Sequence, residues 1–352
     1  MQQLRCDPTT HMGYQNPSKP RRRPRVTVRE VASDAGVSIA TVSYVLNDRG
    51  SVSDEVRRKV RRTAARLGYR QNRAARAMKI GRSDILGLII PNIENPFFAT
   101  LVQSVLQEAQ QQGRQVFLMD TEGSHERQEK ALRGLISQGV DGIIIFPVDD
   151  HELEPKEDID LPLVVLDREH PNHDLVQAEF RFGGKLIAEH LMGLGHRRFG
   201  LLDAPQVVAS GRERSQGFID SLTDDCTVAW REEQEFAIQL TEAARQRLGE
   251  SSVTAVVCGN DQIAMAAIAY LRSRGLGIPG DVSVTGFDDI PFASLVSPAL
   301  TTVRMPTAGM GSEAVNLLVR RLQGQGVERT RSRMVLGVEL RERESTGPVP
   351  PA

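Results

Sequence analysis

Two different hydrophobic patterns divide the chain. Residues 26–70 place apolar side chains three and four positions apart, and this spacing predicts amphipathic helices. After residue 82 the apolar residues come in short uninterrupted runs, and helical stretches separate most of these runs. Strands without polar–apolar alternation that are joined by helices indicate parallel sheets covered on both faces. The predicted strands include 85–90, 116–119, 142–146, 163–166, 199–202, 255–258 and 282–285.

The segment 26–70 predicts three helices around one small core. Gly36 provides a turn after the first helix, and Ser38 and Ser53 are suited to cap the next two helices, because a hydroxyl accepts hydrogen bonds from the free N–H groups of a helix start. This order of elements is typical of a helix-turn-helix domain, whose second helix enters the major groove of DNA. A plain three-helix bundle is the alternative. The second-helix residues that face away from the core are Ile39, Ala40, Ser43, Tyr44 and Asn47.

Charge is distributed unevenly along the chain. Residues 1–82 contain 19 Lys/Arg and 6 Asp/Glu, so this part carries +13 while the remainder carries −14. A basic head on an acidic body is typical of a polyanion-binding module joined to a second function, although a solvated basic face would have the same composition. Residues 1–25 are polar and rich in proline, and we expect them to form a disordered basic tail.

The segment 71–82 predicts a linker with helical preference. An isolated helix of this length is unstable in water, so it would form only when docked. Met78 is a large apolar side chain among basic residues, which suits insertion into a minor groove with kinking of the duplex. A flexible linker whose Met78 packs on the body is the alternative.

These N-terminal segments closely resemble the headpiece and hinge of the lactose-repressor (LacI/GalR) family. The resemblance is carried by Val26-Thr27-Val28-Arg29-Glu30-Val31-Ala32, by Ala35-Gly36-Val37-Ser38-Ile39-Ala40-Thr41-Val42-Ser43-Tyr44-Val45-Leu46-Asn47 and by Asn72-Arg73-Ala74-Ala75-Arg76. Met78 stands where leucine is usual in the family. The resemblance implies DNA contacts by Thr27, Ser38, Ile39, Ala40, Thr41, Ser43, Tyr44, Asn47, Ser53, Asn72, Arg76 and Met78.

The body resembles the same family and, through it, the periplasmic sugar-binding proteins, in segments such as Cys258-Gly259-Asn260-Asp261 and Gly286-Phe287-Asp288-Asp289. The resemblance implies an α/β periplasmic-binding-protein-like core of two subdomains with parallel sheets, behind an all-α helix-turn-helix headpiece. The chain would cross three times between the subdomains, the first holding about 84–178 and 305–332 and the second about 179–303 and 334–346. The predicted domains are a tail 1–25, a helix-turn-helix domain 26–70, a hinge 71–82, a core 83–346 and a tail 347–352.

A small-molecule effector is expected in the cleft between the subdomains, because ligands of such folds bind at the carboxyl ends of the strands. Asp288 and Arg214 match the family's ligand-binding aspartate and arginine. Several of the candidates have a structural alternative, namely helix capping for Asp288 and Asn260, a surface ion pair for Arg214 and core packing for the phenylalanines. The candidate effector-binding residues are Phe97, Phe98, Asp167, Arg214, Phe236, Asn260 and Asp288.

Other functional classes find little support in the sequence. The apolar runs are far shorter than a membrane span, and no secretory signal is visible, so we expect a cytoplasmic protein without a membrane partner. Residues 275–280 spell G-x-G-x-x-G, but a helix is expected before them and a strand after them, the reverse of the dinucleotide fingerprint. No set of residues with a recognisable catalytic or metal-ligand context is present. We therefore expect neither enzyme activity, nor a cofactor, nor a metal.

The combined pattern predicts a homodimeric, effector-controlled transcriptional regulator that acts as a repressor on near-palindromic operator DNA. By family resemblance the first expectation for the effector is a sugar, followed by a purine or another small polar metabolite. Two alternatives remain open. One is a sugar- or purine-binding protein that does not act on DNA, and the other is an architectural DNA binder with a non-responsive cleft.

Overall fold

The computed structural model describes residues 26–46, 50–69, 81–150, 161–168, 170, 172–250, 253–324 and 331–349. The chain divides into two compact units, residues 1–76 and 77–352. The described part of the first unit is called the headpiece here, and that of the second unit the core. Among the described residues, no helix is both long and apolar enough to cross a bilayer.

The headpiece consists of the three predicted helices, α1 (Val28–Ala35), α2 (Ile39–Leu46) and α3 (Asp54–Leu67). A capping box opens α1, in which Thr27 Oγ1 accepts from Glu30 N and Thr27 N donates to the Glu30 carboxylate. Gly36 ends α1 with a φ of 62°, a left-handed conformation that glycine adopts without steric cost. The three helices share one core of Val31, Ala32, Ala35, Val42, Val45, Val60 and Ala64.

The first subdomain of the core is a six-stranded parallel sheet with the order β11-β5-β4-β3-β1-β2. Helices cover both faces of this sheet, and successive residues of β1 therefore pack into two different hydrophobic clusters. Leu88 packs on the side of α4 and α10, whereas Ile89 packs on the side of α5. Its elements are β1 (Ile85–Ile90), α4 (Pro96–Gln111), β2 (Gln115–Asp120), α5 (His125–Ser137), β3 (Gly142–Ile145), β4 (Leu163–Leu166), β5 (Asp174–Ala178), α10 (Thr307–Leu322) and β11 (Arg333–Leu336).

The second subdomain is a four-stranded parallel sheet with the order β7-β6-β8-β9. Its strands alternate with helices along the chain, as the sequence pattern predicts. Its elements are α6 (Phe180–Gly193), β6 (Arg198–Asp203), α7 (Ala209–Ile219), β7 (Thr227–Glu233), α8 (Glu242–Glu250), β8 (Ala255–Cys258), α9 (Asp261–Ser273) and β9 (Ser283–Thr285).

The chain passes between the subdomains three times, and one of these crossings corrects the expected boundary. Two of the connections contain short strands, β10 (Thr302–Arg304) and β12 (Glu339–Arg341), which pair antiparallel. The expected third crossing near residue 333 is wrong, because β11 pairs with β5 up to Leu336, opposite Ala178. The crossing therefore follows Leu336. No long apolar run marks β11, which lies at the edge of its sheet and is only half-buried.

Edge strands account for most of the other departures from the predicted pattern. The sequence analysis did not predict the edge strands β7 and β11, nor β5, which lies between β11 and β4 but contains the polar residues Asp174 and Gln177. The edge strand β2 was predicted, but helices cover it less than expected. In β2, Phe117 and Leu118 are each 39% exposed, since an edge strand has a neighbour on one side only. Apolar content alone identifies the central strands better than the edges, where polar residues are tolerated.

A glycine contact between α6 and α7 brings these helices unusually close. A Cβ on Gly184 would lie 2.1 Å from the carbonyl oxygen of Arg214, and one on Gly217 would lie 2.0 Å from that of Arg181. Side chains larger than hydrogen would force the helices apart. This contact sets the position of α7, the helix that carries Arg214.

Candidate functional site

The outer surface of α2 presents the side chains that the sequence analysis assigns to the major groove. Ile39 is 49% exposed and Tyr44 is 52% exposed, so α2 presents two large side chains on its outer surface. Ala40 is exposed as well, and Ser43 is half-buried between them. The headpiece thus combines a buried apolar core with an outer surface of α2 on which Ile39 and Tyr44 remain about half exposed.

Three of the predicted DNA-contacting hydroxyls have a structural role in addition. Thr27 caps α1, Ser38 Oγ accepts from Thr41 N at 3.0 Å to cap α2, and Ser53 Oγ accepts from Val56 N at 3.5 Å to cap α3. Ser38 Oγ also lies 2.9 Å from the Thr41 hydroxyl. Because Thr27, Ser38 and Ser53 remain exposed, capping and phosphate contact are compatible. The predicted contacts Asn47, Asn72, Arg76 and Met78 lie outside the described residues.

A cavity of about 470 Å³ lies between the two subdomains of the core. Its walls come from both sides, with the start of α4 and the end of β3 on one side and the start of α7 and the loops after β7 and β9 on the other. This is the size range of small-molecule sites. Of the seven predicted effector residues, the cavity lining contains Phe97, Phe98, Arg214, Phe236 and Asp288.

Arg214 and Asp288 form the central polar pair of this cavity. Arg214 Nη2 lies 3.1 Å from Asp288 Oδ1, and the side chains are 9% and 5% exposed. Arg214 also donates from Nη1 to the Gly259 carbonyl at 2.8 Å and lies over the Phe287 ring, 4.1 Å from its centroid. The predicted alternative of a surface ion pair is therefore wrong for Arg214, because the pair is buried at the cavity wall.

Backbone contacts hold Asp288 in a conformation that non-glycine residues rarely adopt. Its φ is 119°, and its N–H donates to the Val303 carbonyl at 2.9 Å while its own carbonyl accepts from Met305 N at 3.3 Å. Strained backbone of this kind persists where the surroundings enforce it, often at ligand sites. Asp288 is thus attached directly to the crossing that contains β10.

Aromatic rings form one wall of the cavity. Phe97 and Phe98 are nearly buried and pack edge-to-face on Phe146, with centroid distances of 6.0 and 4.9 Å. Arg168 lies over the Phe146 ring at 5.9 Å. Phe236 lines the opposite side, from the loop after β7. The rings offer an apolar surface for the face of a sugar or a purine, and Phe97 and Phe98 serve the core at the same time.

Asp167 lies behind the cavity rather than in its lining. The side chain is 1% exposed, and its Oδ2 accepts from Arg168 Nη2 at 3.3 Å. Burial raises the pKa of Asp167, against the lowering effect of Arg168, Arg214 and Ser210. Asp167 Oδ1 has no hydrogen-bond partner among the described residues. Asp167 can therefore help to position Arg168, which lines the cavity.

Asn260 takes the structural alternative that the sequence analysis left open. Its Oδ1 accepts from Ile263 N at 2.9 Å and caps α9, and the residue is not among those that line the cavity. Its Nδ2 is buried without a hydrogen-bond partner among the described residues. A direct effector contact by Asn260 stays a prediction, and helix capping is the role that its hydrogen bond supports.

Several cavity residues were missed by the sequence analysis. Arg168, Ser210 and Glu233 line the cavity. Arg168 follows the predicted strand 163–166, Ser210 lies in the first turn of α7, and Glu233 ends β7, which the sequence analysis did not predict. Asp150 connects the two sides, since its carboxylate accepts from Arg168 Nη1 at 3.4 Å, from Ala209 N at 3.1 Å and from Arg212. The two acidic residues Asp149 and Asp150 come shortly after a predicted buried strand, and this position could have identified them as cleft residues from the sequence.

Burial raises the pKa of Asp288 to about 6, although Arg214 acts to lower it. In the unfolded chain an aspartate has a pKa of about 4, so the folded state binds more protons between these values. The contribution of Asp288 to stability is therefore fully present below about pH 4 and is lost as pH rises through about 6.

Asp288→Asn tests this assignment. We expect the Tm of the variant minus the Tm of the parent protein to be more positive at pH 7.5 than at pH 4.5. Equal Tm differences at both pH values would contradict this assignment.

Comparisons with known proteins match both the headpiece and the core to known families. Residues 27–72 match the family described as bacterial regulatory proteins, lacI family, and residues 188–346 match the periplasmic binding protein-like domain. The ribose operon repressor of Haemophilus influenzae is 33% identical over 305 residues, which cover 84% of this chain and 92% of that protein.

Solved structures show the same arrangement over nearly the whole chain. The lac repressor dimer bound to operator and the anti-inducer ONPF has a TM-score of 0.81 at 29% identity, and the match covers 92% of this chain and all of that one. A LacI family regulator from Enterococcus faecium with bound ribose has a TM-score of 0.65 at 27% identity, covering 75% of this chain and 99% of that one. The expected helix-turn-helix headpiece and two-subdomain core are confirmed. The chain therefore belongs to the lacI family of bacterial regulatory proteins.

Proposed function

We propose that this protein is a transcriptional repressor whose affinity for operator DNA is controlled by a small polar effector in the core cavity. The main support for this proposal is the buried Arg214–Asp288 pair at the wall of a cavity of about 470 Å³. The same chain also has an exposed surface on α2. A pocket with buried, fixed polar groups and aromatic walls suits a small ligand with hydroxyl or ring N–H groups. Binding DNA in this way, the protein would act in the cytoplasm.

A sugar is the first choice for the effector. Arg214 offers rigid donors and Asp288 offers acceptors for adjacent hydroxyls, while the phenylalanine rings suit the apolar face of a sugar ring. The relative named as a ribose operon repressor and the neighbour with bound ribose favour the same class. A purine is the second choice, since an aspartate can also accept from a ring N–H.

We also propose that the protein acts as a homodimer on a near-palindromic operator, since two-fold protein symmetry imposes two-fold DNA. A groove between α4 and the loop after β9 includes the exposed Phe292, and Leu295 nearby is 76% exposed. Such an apolar surface favours a protein partner. The neighbouring lac repressor structure is a dimer bound to operator. Sedimentation velocity of the purified chain tests this assembly.

The deciding experiment combines ligand screening with operator selection. Thermal unfolding against sugars, nucleobases and related metabolites identifies a ligand, because a molecule that binds only the folded state raises the Tm. Operator sequences are selected from random duplexes, and their affinity is measured with and without that ligand. Release of the operator indicates an inducer, and tighter binding indicates a corepressor. A protein that selects no sequence would contradict the proposed function, as would operator binding that no ligand alters.

Tyr44 provides the test of the recognition helix. We expect Tyr44→Ala to reduce affinity for the selected operator about tenfold or more, because a side chain that reaches a base edge contributes roughly 1–3 kcal/mol of discrimination. Affinity for random-sequence duplex should change little. Ser33→Ala, at an exposed position of α1, is the matched control and should bind as the parent does. An equal loss on operator and random duplex would show that Tyr44 contributes no sequence recognition.

A further inference from the structure

The outer face of α3 is far more basic than a solvated helix requires. After Asp54 and Glu55 in the first turn, every charged residue of this helix is positive. Residues four apart on a helix are neighbours, so Arg58 and Arg62 repel each other. A solvated helical face more often alternates the sign of its charges. The basic residues of α3 are Arg57, Arg58, Lys59, Arg61, Arg62 and Arg66.

Three of these side chains are available to a partner. Arg58, Lys59 and Arg62 are exposed, and none of them forms an ion pair with a described residue. Arg58 makes one hydrogen bond, from Nε to the Asp54 carbonyl at 3.3 Å, which leaves its terminal nitrogens free of described acceptors. Arg66, by contrast, is paired with Asp34. The cluster Arg58, Lys59 and Arg62 is called the α3 face here.

The α3 face does not coincide with the recognition surface of α2. Val60, Thr63 and Ala64 are the buried residues of α3, and Arg58 and Arg62 lie on the opposite side of the helix. Lys59 lies at the border of this face, with its Nζ near Gly36 in the turn before α2. Since α1, α2 and α3 each bury one side in the same core, their outer faces point in different directions. A duplex read by α2 therefore leaves the outer side of α3 accessible to another polyanion.

We propose that the α3 face binds the phosphate backbone of a second duplex segment while α2 engages the first. Guanidinium groups match phosphate oxygens bidentately, and duplex DNA presents a continuous row of phosphates. Binding of this kind is independent of base sequence. The protein would thereby hold two DNA segments together, a capacity beyond operator binding. The other available polyanion is the acidic core of the chain itself, and the experiment separates the two.

The experiment compares the full-length parent with the triple variant Arg58→Gln, Lys59→Gln, Arg62→Gln. A matched triple variant, Arg245→Gln, Arg274→Gln, Arg320→Gln, removes the same charge from exposed positions of the core. Binding to a random-sequence duplex is measured by fluorescence anisotropy over a series of salt concentrations. In a second measurement, protein held on an immobilised random-sequence duplex captures a labelled duplex from solution. Thermal unfolding verifies that each variant is folded.

We expect the α3-face variant to bind random duplex about tenfold more weakly near 0.1 M salt. The slope of log binding constant against log salt concentration should decrease in magnitude by about 2–3, because each lost phosphate contact removes about 0.9. Capture of the second duplex should be lost. The core variant should retain both properties. Unchanged capture by the α3-face variant would overturn the proposal, and so would an equal loss in the core variant. Tighter DNA binding by the α3-face variant would also overturn it, in favour of the acidic core as partner.

These outcomes are separable from those of the proposed function. Neither measurement needs a known operator or effector, so a failure of operator selection leaves the result for α3 intact. Conversely, a chain that selects an operator but captures no second duplex keeps its repressor function and loses only the second surface.

Discussion

Asp288→Asn is expected to weaken effector binding about 100-fold or more. The substitution removes the negative partner of Arg214, whose guanidinium is 9% exposed. Asparagine weakens the acceptors that Asp288 would offer to two effector hydroxyls, and hydrogen bonds to a charged group contribute roughly 1.5–3 kcal/mol each, which together correspond to about two or more orders of magnitude in affinity. Isothermal titration calorimetry with the ligand found by thermal unfolding measures this effect. Affinity within about twofold of the parent would show that Asp288 does not hold the effector.

Glu235→Gln is the matched control for Asp288. Glu235 also lines the cavity, but it is exposed and forms no ion pair with a described residue. Because solvent screens such a carboxylate, we expect an affinity change of about threefold or less. Both variants retain the headpiece, so operator affinity in the absence of ligand serves as a second reference. A large loss in Glu235→Gln would move the centre of recognition to the loop after β7.

Gly217→Ala is expected to destabilise the core by about 3 kcal/mol, because overpacking at a tight contact forces backbone shifts. The added Cβ would lie 2.0 Å from the carbonyl oxygen of Arg181, a backbone atom that cannot rotate away. The helix α7 must then move, and Arg214 moves with it. Denaturant unfolding measures the loss, and we also expect weaker effector binding by the folded fraction.

Gly193→Ala is the control for the glycine contact. Gly193 lies at the end of α6, and a Cβ there would meet nothing within 4 Å. Alanine is a better helix former than glycine, so this variant should be neutral or more stable by up to about 1 kcal/mol. If Gly217→Ala were as stable as Gly193→Ala, the close approach of α6 and α7 would not be required for the fold.

Local patterns were sufficient to predict the headpiece. Its caps depend on residues three positions apart, such as Thr27 and Glu30, and its core depends on apolar residues at helical spacing. Such interactions lie within one or two turns of the chain, so the order of residue types specifies them. Most central strands of the core were predictable for a similar reason, because strands buried on both faces are mostly apolar, and β5 with Asp174 and Gln177 is the exception.

The cavity was only partly predictable from the sequence. Family resemblance named Arg214 and Asp288 as ligand-binding residues, and the structure brings them to 3.1 Å from each other although 74 positions separate them. The position after a strand suggested Asn260, whose side chain is used to cap α9. A polar residue after a strand can cap a helix or face a ligand, and the local pattern is the same for both.

By itself, the sequence determined the two-part organisation, the helix-turn-helix surface, the parallel α/β core and the family. Only the tertiary structure decided where the third crossing lies, that Asp150 joins the two sides of the cleft, and that Arg214 and Asp288 form a buried pair. The physical reason is the range of the interactions. Caps and periodicity act between neighbours in the chain, whereas strand edges, cavity walls and helix faces depend on which distant segments pack together.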